Sequence, residues 1–262
     1  MQQSAEPKNP VTRPERVSLF VTCLVDLLFP EVAEATVLLL RDLGVVVDFP
    51  DAQTCCGQPA YNSGSPDHAR HVARTLLDAF EGAGAVVSPS GSCAAMVRNH
   101  FPRLFGGTRD ETRARDLAAR TYELSGFLVD VLGIDRLAGS FPARVTYHDS
   151  CHGLRELNLS GQGRKLLAGI EGLELVEMAR PEQCCGFGGT FSIRLPEMAT
   201  AMADDKLEQA SATGADVLVG GDAGCLMHLG GRASREGMRL QPMHLAVLLA
   251  EARGLMSPGA AR

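Results

Sequence analysis

Two pairs of adjacent cysteines, each followed by glycine, are the residues best suited to chemistry in this sequence: Cys55-Cys56-Gly57 and Cys184-Cys185-Gly186. The remaining cysteines fall around them in a matching way. Cys23, Cys55, Cys56 and Cys93 form one set, and Cys151, Cys184, Cys185 and Cys225 form the other. Equivalent members are 128, 129, 129 and 132 positions apart. The chain therefore reads as two repeats with small insertions, each carrying four thiols.

Four thiols of this kind suit a metal centre. Structural zinc is commonly gripped by Cys-x2-4-Cys pairs, and the sequence has no Cys-x-x-Cys. Side chains of adjacent residues diverge, which suits several metal atoms better than one small ion. Iron–sulfur clusters have several irons and are held by cysteine thiolates. Gly57, Gly91, Gly186, Gly188, Gly189 and Gly224 stand near the thiols and would let backbone N–H groups approach sulfur. The spacing thus favours iron–sulfur over zinc, with redox dithiols or an inert buried set as the remaining readings.

The elements that must position these thiols alternate. Short apolar runs at 17–22, 45–49 and 85–88 read as strands, with helices over 31–43 and 65–80 and another after Cys93. The residues 112–131 read as a helix or helix pair carrying the crossover. The pattern then restarts with strands at 144–147, 173–178 and 217–219 and helices over 163–170, 196–213 and 242–252, plus one after Cys225. This predicts an α/β chain of two repeated lobes, with mostly parallel sheets flanked by helices. The expected units are a flexible tail at 1–15, a first repeat at 16–139, a second at 140–254 and a tail at 255–262. Every cysteine follows an expected strand, and ligands of open parallel sheets bind beyond the carboxyl ends of strands. Three strand ends per repeat should bring each quartet together.

Composition excludes other classes. Hydrophobic residues make up 45% and charged residues 21%, and the net charge of −6 leaves no basic footprint for nucleic acid. No apolar run approaches the length that spans a bilayer, and the polar N-terminus lacks the apolar core of an export signal. The expected compartment is the cytoplasm, where thiols stay reduced, so cysteines there point to metal or redox chemistry. No nucleophile-and-base pair stands out, and no acid–base catalytic residue is assigned. The glycines at 186–189 do not form a nucleotide loop, because no Gly-x-Gly-x-x-Gly links a strand to a helix.

Other residues are weighed against blander roles. His228 sits one helical turn after Cys225 and is a candidate extra ligand. His148 and His152 flank Cys151 and could face a metal centre or merely end a strand. Asp149 and Arg155 could meet an acid substrate, although loop charges are usually solvated or paired. His68 and His71 read as surface histidines, and Met198 and Met202 as packing residues.

Several motifs together resemble one family. Cys23…Cys55-Cys56-Gly57…Cys93 and Cys151…Cys184-Cys185-Gly186…Cys225, with Pro89-Ser90-Gly91-Ser92-Cys93, His148-Asp149-Ser150-Cys151-His152 and Gly224-Cys225-Leu226-Met227-His228, resemble the duplicated cysteine-rich CCG domain. That domain occurs in heterodisulfide reductase, in the iron–sulfur component of glycolate oxidase and in the lactate utilization proteins, and these motifs resemble those of the last group. The resemblance implies one or two iron–sulfur clusters per chain, [4Fe–4S] in type, held by the eight cysteines. It implies electron transfer during oxidation of L-lactate to pyruvate, in a complex with two partner subunits, with a 2-hydroxy acid bound by the complex and peripheral contact with a membrane allowed. A heterodisulfide-reductase-like thiol/disulfide reductase, a glycolate-oxidising component and a non-redox zinc module are the alternatives. The fullest family pattern ends each repeat in Cys-x-x-Cys; here Met96 and His228 replace the last cysteine.

Overall fold

The computed structural model describes residues 13–259. Two four-stranded sheets, each wholly parallel, make up its frame. In the first half, β1 (Arg16–Leu19) leads to α1 (Cys23–Leu28) and α2 (Pro30–Asp42), then β2 (Val46–Asp48), α3 (Gln58–Asn62) and α4 (Pro66–Ala79). Next come β3 (Ala85–Ser88), α5 (Gly91–Ala95), a π-helical turn at Met96–His100, α6 (Phe101–Leu104), α7 (Glu111–Ala119) and β4 (Thr121–Glu123). Then α8 (Leu124–Gly126) and a second π turn at Phe127–Val131 cross to the other half.

The second half repeats the plan. It runs β5 (Gly139–His148), α9 (Cys151–Leu157), α10 (Gln162–Leu167), β6 (Ile170–Leu175), α11 (Thr190–Arg194) and α12 (Pro196–Ala212). It closes with β7 (Val217–Gly220), α13 (Ala223–Arg235), β8 (Gln241–His244) and α14 (Leu245–Ala252). The sheets have the same order, β2-β1-β3-β4 and β6-β5-β7-β8. In such a doubly wound order the chain leaves β1 in one direction and β3 in the other, and a crevice opens at that switch point.

The expected α/β class with parallel sheets is what the structure has, with four strands per half rather than three. Of the additional strands, β4 lies within a segment expected to be helical, 112–131, and β8 overlaps the start of another, 242–252. Both are edge strands of their sheets. Pro242 therefore stands in an edge strand, where a missing N–H is tolerated, and not at the start of a helix.

One core joins the halves. Val17, Leu19, Leu39 and Leu40 from the first pack with Val145, Val219 and Leu245 to Ala250 from the second. All eight residues of α14 are buried, which explains why its sequence is apolar but for Glu251. Separate outer layers cover the far faces: α4 with Phe20, Met96 and Phe101 in one half, α12 and α13 with Met178, Leu218 and Leu229 in the other.

The expected tails fall partly on 1–12 and 260–262, outside the described residues. Within the described parts, Arg13 donates to the Leu43 carbonyl at 2.7 Å and the Gly259 N–H to Glu251 Oε1 at 3.0 Å. No helix among the described residues is long and apolar enough to cross a membrane.

Candidate metal centre

The cysteines reach their places by three routes used twice. Cys23 and Cys151 open the helices that follow β1 and β5. The Cys-Cys-Gly loops follow β2 and β6. Cys93 and Cys225 lie in the first turns of the helices after β3 and β7. Those turns are capped by side chains: Ser90 accepts from the Cys93 N–H, and Asp222 accepts from the N–H groups of Gly224 and Cys225.

The two loops share one backbone device. Gly57 and Gly186 have φ of +81° and +89°. A Cβ on Gly57 would lie 2.9 Å from the Ala69 carbonyl oxygen, and one on Gly186 2.5 Å from that of Ala199. Only glycine fits there, on both conformational and steric grounds. Each glycine then turns its N–H back onto the first thiol of its pair, Gly57 to Cys55 Sγ at 3.4 Å and Gly186 to Cys184 Sγ at 3.5 Å.

Within each half the four sulfurs form a chain. Cys23 Sγ lies 3.8 Å from Cys55 Sγ, and Cys56 Sγ 3.5 Å from Cys93 Sγ. Cys55 and Cys56 also touch through sulfur. In the second half the sulfurs of Cys185 and Cys225 lie within 4.8 Å of each other, and Cys184 is coupled electrostatically to Cys151 and Cys185. Burial follows the same pattern: Cys56, Cys93, Cys185 and Cys225 are buried and the other four half-buried. Both quartets face a single cleft of about 190 Å³, lined by all eight cysteines together with Leu24, Gln58, Pro59, His152, Phe187 and Asp222, among others.

The electrostatics repeat as well. Donation from Cys23 and Cys56 draws the Cys55 thiol down to about 3, with help from the Gly57 N–H. Donation from Cys151 and Cys185 draws Cys184 down to about 2. Cys23, Cys56, Cys151 and Cys185 are pushed up, first by their bonds to these two acidic thiols and then by burial. At Cys225 the bond with Cys185 pulls downward, but burial and Asp222 prevail and the thiol rises. The first thiol of each Cys-Cys pair is thus held low by its neighbours, and metal binding would displace the remaining thiol protons.

The other candidates are placed differently. His228 does not line the cleft; its Nε2 stands 3.2 Å from the Ala199 carbonyl oxygen and its ring packs on Phe187. Met96 is fully buried in the outer core of the first half. His152 does line the cleft, with Nδ1 3.6 Å from Cys151 Sγ. Asp149 is held by both terminal nitrogens of Arg164, at 2.8 and 2.9 Å, and so is paired. His68 and His71 are exposed on α4. Met198 is 55% exposed, so it does not serve as the packing residue that its helical spacing suggested.

The chain matches the cysteine-rich domain family CCG twice, over residues 17–98 and 145–230. It belongs to that family. It is 49% identical over 235 residues to "Lactate utilization protein A" of Geobacillus kaustophilus, covering 89% of this chain and 98% of that one. It is 48% identical to the protein of the same name from Oceanobacillus iheyensis over 235 residues, covering 89% and 96%. To "Lactate utilization protein A 2" of one Bacillus cereus strain it is 44% identical over 237 residues, covering 90% and 98%. Among solved structures, a hypothetical protein from Helicobacter pylori has the same fold, with a TM-score of 0.63 at 12% identity. That likeness covers 97% of this chain, which spans 52% of the longer protein. Both CCG matches contain a complete cysteine quartet, so the family's repeat and the repeated sulfur chain coincide.

Two neighbours of the second quartet stand out: His148, for which the sequence left a place at the metal centre and a mere strand end both open, and Lys206, which sequence reasoning did not single out. His148 ends β5 fully buried, with no hydrogen-bond partner of normal geometry on either ring nitrogen. Burial pushes its imidazole down to about 3, so the ring is neutral. Lys206 on α12 is wholly buried, and its Nζ donates to the carbonyls of Arg180 and Pro181 at 2.8 and 2.9 Å, pinning the loop that leads to Cys184. The signal lay in the repeat. Three residues before Cys23 stands Phe20, where His148 precedes Cys151. Pairing Pro66 and Ala69 of α4 with Pro196 and Ala199 of α12 sets Leu76 against Lys206.

Proposed function

We propose that this chain is the iron–sulfur electron-transfer subunit of an L-lactate-oxidising complex, working in the cytoplasm with other subunits. The observation that carries the reading is the pair of sulfur chains, one from each CCG repeat, facing one cleft. The naming of close relatives as lactate utilization proteins supports the choice of substrate.

The donor set fits an iron–sulfur centre. Four thiols per half supply the ligands such clusters take, Cys23, Cys55, Cys56 and Cys93 on one side and Cys151, Cys184, Cys185 and Cys225 on the other. When bound, a cluster supplies one-electron redox chemistry. The chain's own residues do the rest. Gly57 and Gly186 aim N–H groups at thiolate sulfur, and such bonds tune reduction potential. Leu24, Pro59 and Phe187 give the cleft apolar walls that limit water. Lys206 puts a buried cation behind the second quartet, where Cys185 and Cys225 feel its charge.

The test is reduction by substrate. Anaerobically purified chain, mixed with its companion subunits, should lose visible absorption when L-lactate is added, and should respond less to glycolate. Bleaching by glycolate alone would move the assignment to glycolate oxidation. Turnover of a disulfide by the isolated chain with a reductant would favour a thiol/disulfide reductase. A colourless zinc protein would end the electron-transfer reading.

A further inference from the structure

The second quartet has a nitrogen beside it that the first lacks. His148 is 1% exposed, and neither ring nitrogen has a partner of normal hydrogen-bond geometry. A buried polar side chain left this way needs a partner that the protein's own atoms do not provide. One ring nitrogen and the sulfurs of Cys185 and Cys225 lie within 4.8 Å of one another. Metal–nitrogen and metal–sulfur bonds run about 2.0–2.3 Å, so donors on a shared ion stand roughly 4 Å apart. The three atoms are therefore close to a spacing that one ion can bridge. In the first half Phe20 occupies the equivalent position and packs edge-on against Phe80, with no donor atom to offer.

We propose that His148 is a nitrogen ligand of the metal centre at the second quartet, beside Cys185 and Cys225. The second centre then has five protein donors and the first has four. This rests on the iron–sulfur reading above. It makes the two centres chemically distinct, with the histidine on the second alone.

Pulsed electron paramagnetic resonance of the reduced, iron-loaded chain tests it. A strong nitrogen hyperfine coupling should appear, and should change its pattern when histidine is labelled with nitrogen-15. His148→Phe, which installs the residue of the first half, should remove the coupling while iron at the first quartet stays. His152→Ala, altering the other histidine of the cleft, should leave the coupling in place. If His148→Phe does not fold, the labelled wild type and His152→Ala still decide. An iron-loaded chain without histidine coupling overturns the assignment of His148 but not the iron–sulfur reading. A coupling that disappears with His152→Ala overturns it too. A chain that takes up no iron overturns both.

Discussion

The two halves of this molecule place their sulfurs alike and surround them differently. Strand ends, glycine turns and cysteine burial correspond one to one. The surroundings do not. Phe20 and Leu76 make the far side of the first quartet hydrocarbon, whereas His148 and Lys206 set a neutral imidazole and a cation behind the second. Ser90 caps one helix, and Asp222 caps the other. The second carboxylate oxygen of Asp222 reaches across to the Ser92 N–H at 2.8 Å, so one residue ties both cysteine-bearing turns together. A bound metal would constrain the loop geometry, which is kept in both halves. The residues behind the sulfurs set the centre's electronic environment, and there the halves differ.

The largest expected break comes from the ligands. Cys184→Ser and Cys185→Ser should each remove the second centre, about half of the bound iron and visible absorption if each quartet holds one cluster. Cys55→Ser and Cys56→Ser should do the same to the first. Unchanged iron in all four variants would defeat the comparison. Met96→Ala should leave iron content intact yet cost about 2–5 kcal/mol in denaturant unfolding, because it empties a fully buried core site. Iron loss at full stability would make Met96 a ligand instead.

An acid titration probes the joint between the halves. His244 caps α14, accepting the Ala246 N–H on Nδ1, and so carries its proton on Nε2, 3.0 Å from the Pro89 carbonyl oxygen. Burial pushes it down to about 4. A histidine held neutral in the fold binds its proton on unfolding once the pH drops below about 6.5. Its stabilising contribution is complete above that pH and is lost as the pH falls toward 4, about 3 kcal/mol in all. His244→Gln should flatten that slope in unfolding curves taken across the range; an unaltered slope would show that the joint does not titrate there.

The smallest effects separate the caps. Ser90→Ala should cost about 1 kcal/mol and Asp222→Ala about 2 kcal/mol, since Asp222 serves both turns. Equal losses in unfolding experiments would make the halves energetically symmetric.

What the sequence shows and hides follows from these same residues. The quartets were legible because the Cys-Cys-Gly spacing repeats and each cysteine trails an apolar run that forms a buried parallel strand. β4 and β8 were not, because edge strands of three and four residues need no apolar alternation. Thr121-Tyr122-Glu123 is submerged among helix formers, and Pro242 mimics a helix start. That both quartets open on one cleft could not be read either, since it depends on α14 and α2 packing the two sheets into one core. The candidacy of His228 came from helical spacing, which fixes a face of α13 but not what that face meets: Phe187 and the Ala199 carbonyl.

The most direct measurement is an iron and acid-labile sulfide count on the anaerobically purified chain, joined to Mössbauer spectroscopy. Two quartets with unlike surroundings predict iron and sulfide in equal amounts and two resolvable sets of iron environments. Stoichiometric zinc without sulfide, or eight thiols that all react freely with alkylating reagent in the purified protein, would contradict the claim that these sulfurs hold iron.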